Sequence, residues 1–146
     1  MYFVDRNLME QRLRYIEQQT ELFKSQQQWE SPIEEAALER VAHMLTEAVL
    51  DVGNAMIDGF IMRDPGSYED IIDILLDEKV IGEKTGEDLK ILISLRKQLV
   101  QDYTEIDHGG LHEELTAILG GISEFPGLVR TYLTNELGPV SAFKPH

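Results

Sequence analysis

SPIEEAALERVAHMLTEAVLDVGNAMIDGFIMR, residues 31–63, carries the signals of one long helix. Ser31 can cap its start, Pro32 suits the first helical position, and Glu34 can reach back to complete a capping box. Apolar residues then recur every three or four positions, as one face of a helix requires: Ala37, Val41, Met44, Ala48, Val52 and Met56. Asp64-Pro65-Gly66 should stop it. The stretch predicts a helix over Pro32–Arg63, about thirty residues long, and so favours a helical fold.

Further helices are predicted on either side of this one. Capping patterns at Ser67 and Thr85 and apolar residues at helical spacing mark their starts and lengths. Gly109-Gly110 should break the chain between the last two, Pro126 should kink or interrupt the last, and Gly138-Pro139 should end it. The predicted spans are Asp5–Gln28, Tyr68–Leu76, Gly86–Ile106 and Leu111–Leu137.

No alternating strand pattern, internal repeat or long linker competes with these helices. We therefore expect an all-α protein, a single domain over residues 1–146, folded as an antiparallel four- to five-helix bundle with an irregular tail over 140–146. There is no cysteine, which excludes disulfides, a thiol nucleophile and a cysteine metal site. Neither a signal peptide nor an apolar run long enough for a membrane span is visible, so we expect a cytoplasmic protein with no membrane partner.

The formal net charge is −14 and the sequence pI is near 4.5. A broad nucleic-acid-binding surface needs clustered lysine and arginine, and none is present, so any RNA contact must be local. The second helix also carries a polar stripe, Glu47, Asp51, Asn54 and Asp58, between its core face and a second apolar strip of Leu50, Ile57 and Ile61. That strip is either covered by another helix of the same chain or forms a dimer interface.

The fourth predicted helix places a charge on an apolar face. At about 100° per residue, Arg96 falls near the middle of that face, and Tyr103, seven residues on, lies almost in line with it. A buried guanidinium needs a partner, and Asp51 is the leading candidate. Arg96 then either forms an internal ion pair that orients two helices or binds a phosphate in a cleft.

Arg96-Lys97-Gln98-Leu99-Val100-Gln101-Asp102-Tyr103 resembles the motif of HepT-like HEPN ribonucleases, in which arginine, four residues, histidine, one residue and tyrosine follow in order. The arginine and the tyrosine match, whereas Gln101 occupies the position of the histidine. The opening Met1–Arg6, the stretch Glu47–Asn54 and the closing Glu136–Lys144 resemble the YutE-type branch of this family, so that the resemblance covers nearly the whole chain.

This resemblance implies a metal-independent, RNA-cleaving homodimer whose two motifs meet in a cleft between the subunits. It also implies a nucleotidyltransferase antitoxin that adds AMP to the motif tyrosine, here Tyr103. Histidine can move a proton at neutral pH, but the amide of Gln101 can only hydrogen-bond. His43 is predicted to be a surface residue, and His108 and His112, beside the glycine pair, give no convincing metal site. No cofactor or metal is expected.

Three functions stay open from the sequence. The first is a degraded relative of the RNA-cleaving toxins that acts as an RNA- or nucleotide-binding or regulatory dimer. The second is an active ribonuclease toxin of a toxin–antitoxin pair, in which another residue replaces the histidine. The third is a helical protein-interaction module in which Arg96 and Asp51 are structural.

Overall fold

Six helices and no strand are found in residues 3–138, the part of the chain that the computed structural model describes. The predicted tail, 140–146, lies outside the described residues. The all-α prediction is confirmed. The helices are α1 (Arg6–Ser25), α2 (Pro32–Gly59), α3 (Tyr68–Asp77), α4 (Glu83–Ser94), α5 (Arg96–Val100) and α6 (His108–Leu137).

Side-chain caps begin four of these helices. Asp5, Ser31, Ser67 and Asp107 each accept a hydrogen bond from a backbone N–H in the first turn, and these N–H groups have no partner within the helix. At Ser31 the capping box is complete, because Glu34 Oε1 accepts from the Ser31 N–H at 2.9 Å. The predicted caps at Ser31 and Ser67 are therefore confirmed. The predicted cap at Thr85 is wrong, because α4 begins at Glu83 and the buried Thr85 lies inside it, where its hydroxyl donates to Glu124 Oε2 at 3.1 Å. The last helix begins at His108 instead of Leu111.

Two helices end earlier than predicted. The first stops at Ser25 instead of Gln28, where Gln26 takes an extended conformation and its side-chain amide donates to the Gln28 carbonyl at 2.8 Å. Such local side-chain bonds compete with the helix. The second stops at Gly59 instead of Arg63, and Ile61 then adopts a left-handed conformation with φ 55°.

The predicted fourth helix is two helices and a loop, so the span to Ile106 is wrong. At the end of α4, Ser94 Oγ donates to the Ile91 carbonyl at 2.6 Å and the Leu95 N–H to the Leu92 carbonyl at 3.1 Å. These hydrogen bonds join residues three positions apart, as in a 3₁₀ turn, so they tighten the last turn and interrupt the helix before α5. The chain leaves α5 at Val100 and runs through a loop, 101–107, to α6.

Two features that were expected to break helical structure lie inside α6: the glycine pair, expected between the last two helices, and Pro126. Gly109 and Gly110 form the first turn of α6 beside its cap, Asp107. A Cβ at Gly110 would stand 2.5 Å from Asp107 Oδ2, so this glycine leaves room for the cap. The helix also continues through Pro126, whose ring is buried. Burial of that ring against the core offsets the hydrogen bond that proline cannot donate.

One apolar cluster fills the space between the helices. Its largest fully buried side chains include Phe125 of α6, Met9 and Leu13 of α1, and Leu38 of α2. In the second apolar strip of α2, Leu50 and Ile57 are each only 3% exposed, whereas Ile61 is 71% exposed. The chain itself therefore covers most of that strip, and its interpretation as a dimer interface is wrong.

Polar contacts fasten α6 to α1 and to α4. Arg130 donates to both Glu10 and Glu17 of α1, with distances of 2.8 to 3.0 Å. On the other side, the buried Asp88 of α4 accepts from the Gly121 N–H at 3.0 Å. Among the described helices, none is both long and apolar enough to cross a membrane.

Candidate functional site

Arg96 opens α5 and is held from two sides. Its Nε donates to Glu47 Oε1 of α2 at 2.9 Å, and its guanidinium carbon lies 4.7 Å from the ring centroid of Tyr68 on α3. The arginine side chain is 27% exposed, so it is half-buried and still reachable from solvent. Its terminal Nη atoms make no hydrogen bond to any described residue. The free edge of the guanidinium can therefore donate two parallel hydrogen bonds to a phosphate or carboxylate.

The carboxylate that pairs with Arg96 is Glu47, and the prediction of Asp51 in this role is wrong. Asp51 is exposed and lies one turn further along α2. It lines a shallow groove of about 240 Å³ between α1 and α2, together with Arg12 and Tyr15. Arg96 reaches α2 from α5 at the level of Glu47, so it pairs with Glu47 and not with Asp51 in the next turn.

Glu47 also contacts His43, which was not among the site residues predicted from the sequence. His43 Nε2 lies 3.2 Å from the same oxygen, Glu47 Oε1, that accepts from Arg96. The histidine side chain is 36% exposed. His43 is thus partly exposed, and beyond the predicted surface position it belongs to a cluster of four side chains from three helices: His43, Glu47, Tyr68 and Arg96.

The other end of the motif loop is fastened to the same face of α2. His108, the first residue of α6, has Nε2 2.7 Å from Glu39 Oε2 and Nδ1 3.6 Å from Glu35 Oε2. Glu35, Glu39, His43 and Glu47 follow at intervals of four, which places them along one face of the helix. The segment from Arg96 to His108 is thus bound to this face at both of its ends.

Gln101 and Tyr103 lie in the loop between these two contacts and are exposed, with Tyr103 64% exposed. Neither side chain makes a hydrogen bond to the described residues. Tyr103 does not lie in line with Arg96 along one helix, as predicted, because α5 ends at Val100. Its phenol is instead accessible on the surface.

The described residues include no group of three or more histidines and carboxylates placed to hold a metal ion. His108 is engaged by the two glutamates, and the His112 ring packs edge-on against Phe23 with 5.6 Å between centroids. The chemistry that the cluster offers is binding of an anion by Arg96 and proton transfer by His43.

Spacing could have revealed part of this cluster. His43 and Glu47 stand four residues apart on a predicted helix, which makes them neighbours. Nothing in the sequence indicates that Tyr68, at the start of a different helix, lies over Arg96.

Comparison with known proteins gives consistent results. The family described as "Ribonuclease HepT-like" matches residues 9–129. YutE of Bacillus subtilis strain 168, whose name describes it as a candidate RNase, is 56% identical over 144 residues, which cover 99% of this chain and 100% of YutE. The solved structure of YutE, which is described as a cytosolic protein of unknown function, matches with a TM-score of 0.94. The match covers 98% of this chain and 100% of the YutE chain.

Two more distant structures share the fold. A toxin–antitoxin structure with AMP-PNP has a TM-score of 0.76 at 15% identity, covering 86% of this chain and 98% of its own. A tri-AMPylated HEPN toxin from Shewanella oneidensis, in complex with an MNT antitoxin, has a TM-score of 0.72 at 16% identity. The match covers 90% of this chain and 99% of the toxin chain.

Proposed function

The chain belongs to the HepT-like ribonuclease family of HEPN proteins, and from this premise we propose that it binds the phosphodiester backbone of RNA at Arg96. The observation that carries the proposal is that the guanidinium is held in place while its terminal edge stays available to a ligand. Glu47 and Tyr68 fix its position, and its two terminal nitrogens have no hydrogen-bond partner among the described residues at a half-exposed site. A preorganised planar edge of this kind suits a phosphate, because no further side-chain freedom has to be lost on binding.

Cleavage through the family motif should be slow in this chain. The motif position for histidine holds Gln101, whose amide cannot accept and release a proton at useful rates. Loss of a general acid or base typically slows such a reaction about 10²- to 10⁴-fold. We therefore propose an RNA-binding protein with weakened ribonuclease activity.

The assembly that we propose is a cytoplasmic homodimer. Arg12 lines two neighbouring pockets at α1 and α2, one with Asp51 and the other with Asp58, and none of the three takes part in an ion pair among the described residues. A surface with both signs of charge can pair with itself across a two-fold axis. The regulatory partner in this proposal is a nucleotidyltransferase that adds AMP to the Tyr103 hydroxyl, and the exposure of that side chain makes it accessible.

An RNA-binding experiment tests the role of Arg96. Fluorescence anisotropy with a labelled single-stranded RNA would compare the wild type with Arg96→Met and with Arg14→Met, a control that removes the same charge from an arginine whose side chain is 70% exposed. We expect Arg96→Met to raise Kd at least about tenfold, which is the loss of one charged hydrogen-bonding contact. Arg14→Met should change Kd less than about twofold. Equal effects of the two changes would refute a site at Arg96 and favour a protein-interaction module.

A second candidate function is an active ribonuclease toxin of a toxin–antitoxin pair. The contact of His43 with Glu47 favours it, because it places an imidazole beside Arg96. Gln101→His separates the two candidates in an RNA cleavage assay. In a weakened enzyme this change should accelerate metal-independent cleavage, whereas a wild type that is already fast should gain little. Growth of cells that express the wild type gives a second measure, since an active toxin arrests it.

A further inference from the structure

We propose that His43 is the group that moves protons at the Arg96 site, and that the RNA cleavage this chain retains depends on it. The inference rests on the proposed function and extends it to a residue outside the motif. Its basis is that His43 Nε2 and Arg96 Nε both lie within hydrogen-bond distance of one oxygen, Glu47 Oε1, at 3.2 and 2.9 Å. The imidazole and the guanidinium therefore flank one carboxylate oxygen, and in this proposal a nucleotide whose phosphate is held by Arg96 extends to His43.

The position of His43 on α2 also brings it to the motif loop. Glu47, one turn after it, binds Arg96 at one end of the motif segment, and Glu39, one turn before it, binds His108 at the other end. His43 thus lies midway between the two turns of α2 that bind the ends of this segment. An RNA strand held at Arg96 along this loop would run past the imidazole.

The hydrogen bond to Glu47 prepares the imidazole for proton transfer. An ionised carboxylate only accepts hydrogen bonds, so Nε2 carries the hydrogen, and in the neutral ring Nδ1 has the free lone pair. This arrangement, in which a carboxylate orients a histidine base and stabilises its protonated form, recurs in hydrolytic enzymes. Arg96, which shares Glu47 Oε1 with the imidazole, and Tyr68 beside Arg96 are the other members of this cluster.

The reaction balances without a metal or a cofactor. His43 Nδ1 takes the proton of a ribose 2′-hydroxyl, the 2′-oxygen forms a bond to phosphorus, and the bond from phosphorus to the 5′-oxygen breaks. A water molecule gives a proton to the leaving 5′-oxygen, and the hydroxide that remains takes the proton from His43. The products are a 2′,3′-cyclic phosphate and a 5′-hydroxyl, while Arg96 offsets the charge that develops on the phosphoryl oxygens.

The test measures cleavage and binding separately in the presence of EDTA. The variants are His43→Gln, His43→Ala and the control His112→Gln, which changes a histidine that packs against Phe23 on another face. We expect both His43 variants to cleave a single-stranded RNA at least about tenfold more slowly than the wild type, with Kd changed less than about threefold. His112→Gln should match the wild type in both respects.

Chemical rescue excludes a merely structural role. Free imidazole should restore cleavage to His43→Ala and leave His43→Gln unchanged, because only the alanine variant has space for it. Three results would overturn the proposal: unchanged cleavage in His43→Gln, no rescue of His43→Ala, or a wild type that binds RNA without cleaving it. In each of these cases RNA binding at Arg96 would stand. A wild type that does not bind RNA would instead refute the proposed function itself.

Discussion

Replacement of Glu47 by alanine should destabilise the fold, whereas the same change one turn away should not. Glu47 accepts from Arg96 at 2.9 Å and lies 3.2 Å from His43, and its side chain is 27% exposed. A buried hydrogen bond to a charged group contributes about 1.5–3 kcal/mol, and an exposed ion pair about 0.2–1 kcal/mol. For this intermediate exposure we expect Glu47→Ala to cost roughly 1–2 kcal/mol, since Arg96 would be left half-buried without its carboxylate.

Asp51→Ala is the matched control. Asp51 is exposed and has no ion pair among the described residues, so its loss should change the free energy of unfolding by less than about 0.5 kcal/mol. For a chain of this size, the two changes correspond to a fall in Tm of about 3–8 °C for Glu47→Ala and under about 2 °C for Asp51→Ala. Thermal unfolding followed by circular dichroism at pH 7 measures both. Equal falls in Tm, or a larger one for Asp51→Ala, would refute the assignment of Glu47 as the partner of Arg96.

Two further predictions concern the attachment of α6. Hydrogen bonds from Arg130 lower the pKa of Glu10 and Glu17 below their ordinary value of 4.5, so this contribution to stability is complete above that pH and is lost as the pH falls through the lowered values. Arg130→Met should therefore lower Tm at pH 7 and flatten its decline between about pH 5 and 3, and an unchanged slope would contradict the pairing. Gly121→Ala would place a Cβ 2.4 Å from Asp88 Cβ and should cost about 1–3 kcal/mol in urea unfolding. Gly120→Ala, with nothing within 4 Å of its Cβ, should instead stabilise the helix by up to about 1 kcal/mol.

The starts of α2 and α3 could be predicted from the sequence because a cap is a local contact. Ser31 and Glu34 satisfy each other within four residues, and no distant part of the chain is needed to recognise them. The interruption at Ser94 and Leu95 could not be predicted in the same way. Apolar spacing continues through it, and the side-chain bond of Ser94 that accompanies the break is one of several conformations a serine can adopt.

The choice between Glu47 and Asp51 shows what helical spacing leaves open. Two residues four positions apart differ by only about 40° around the axis, so both belong to the same stripe. They differ by about 6 Å along the axis, and that height has to match the point where Arg96 arrives from another helix. Periodicity gives the angle of a residue around the axis and not the height of its partner, so it predicts the stripe and not the member that pairs with Arg96.

The same pairing decides how an acidic protein can bind RNA. Glu47 cancels most of the charge of Arg96 at long range, and the chain carries a net charge of −14, so attraction of RNA from a distance is weak. The affinity for RNA must therefore come from short-range hydrogen bonds donated by the two Nη groups, which have no partner among the described residues. These bonds form only when two phosphate oxygens lie along the edge of the guanidinium. A basic patch would bind many phosphates with a steep dependence on salt, whereas one contact gives a slope of about −0.7 in log K against log salt. Binding at this site should therefore select RNA by the shape of its backbone at one phosphate, and the groups beside that phosphate, His43 first among them, then determine whether it is cleaved.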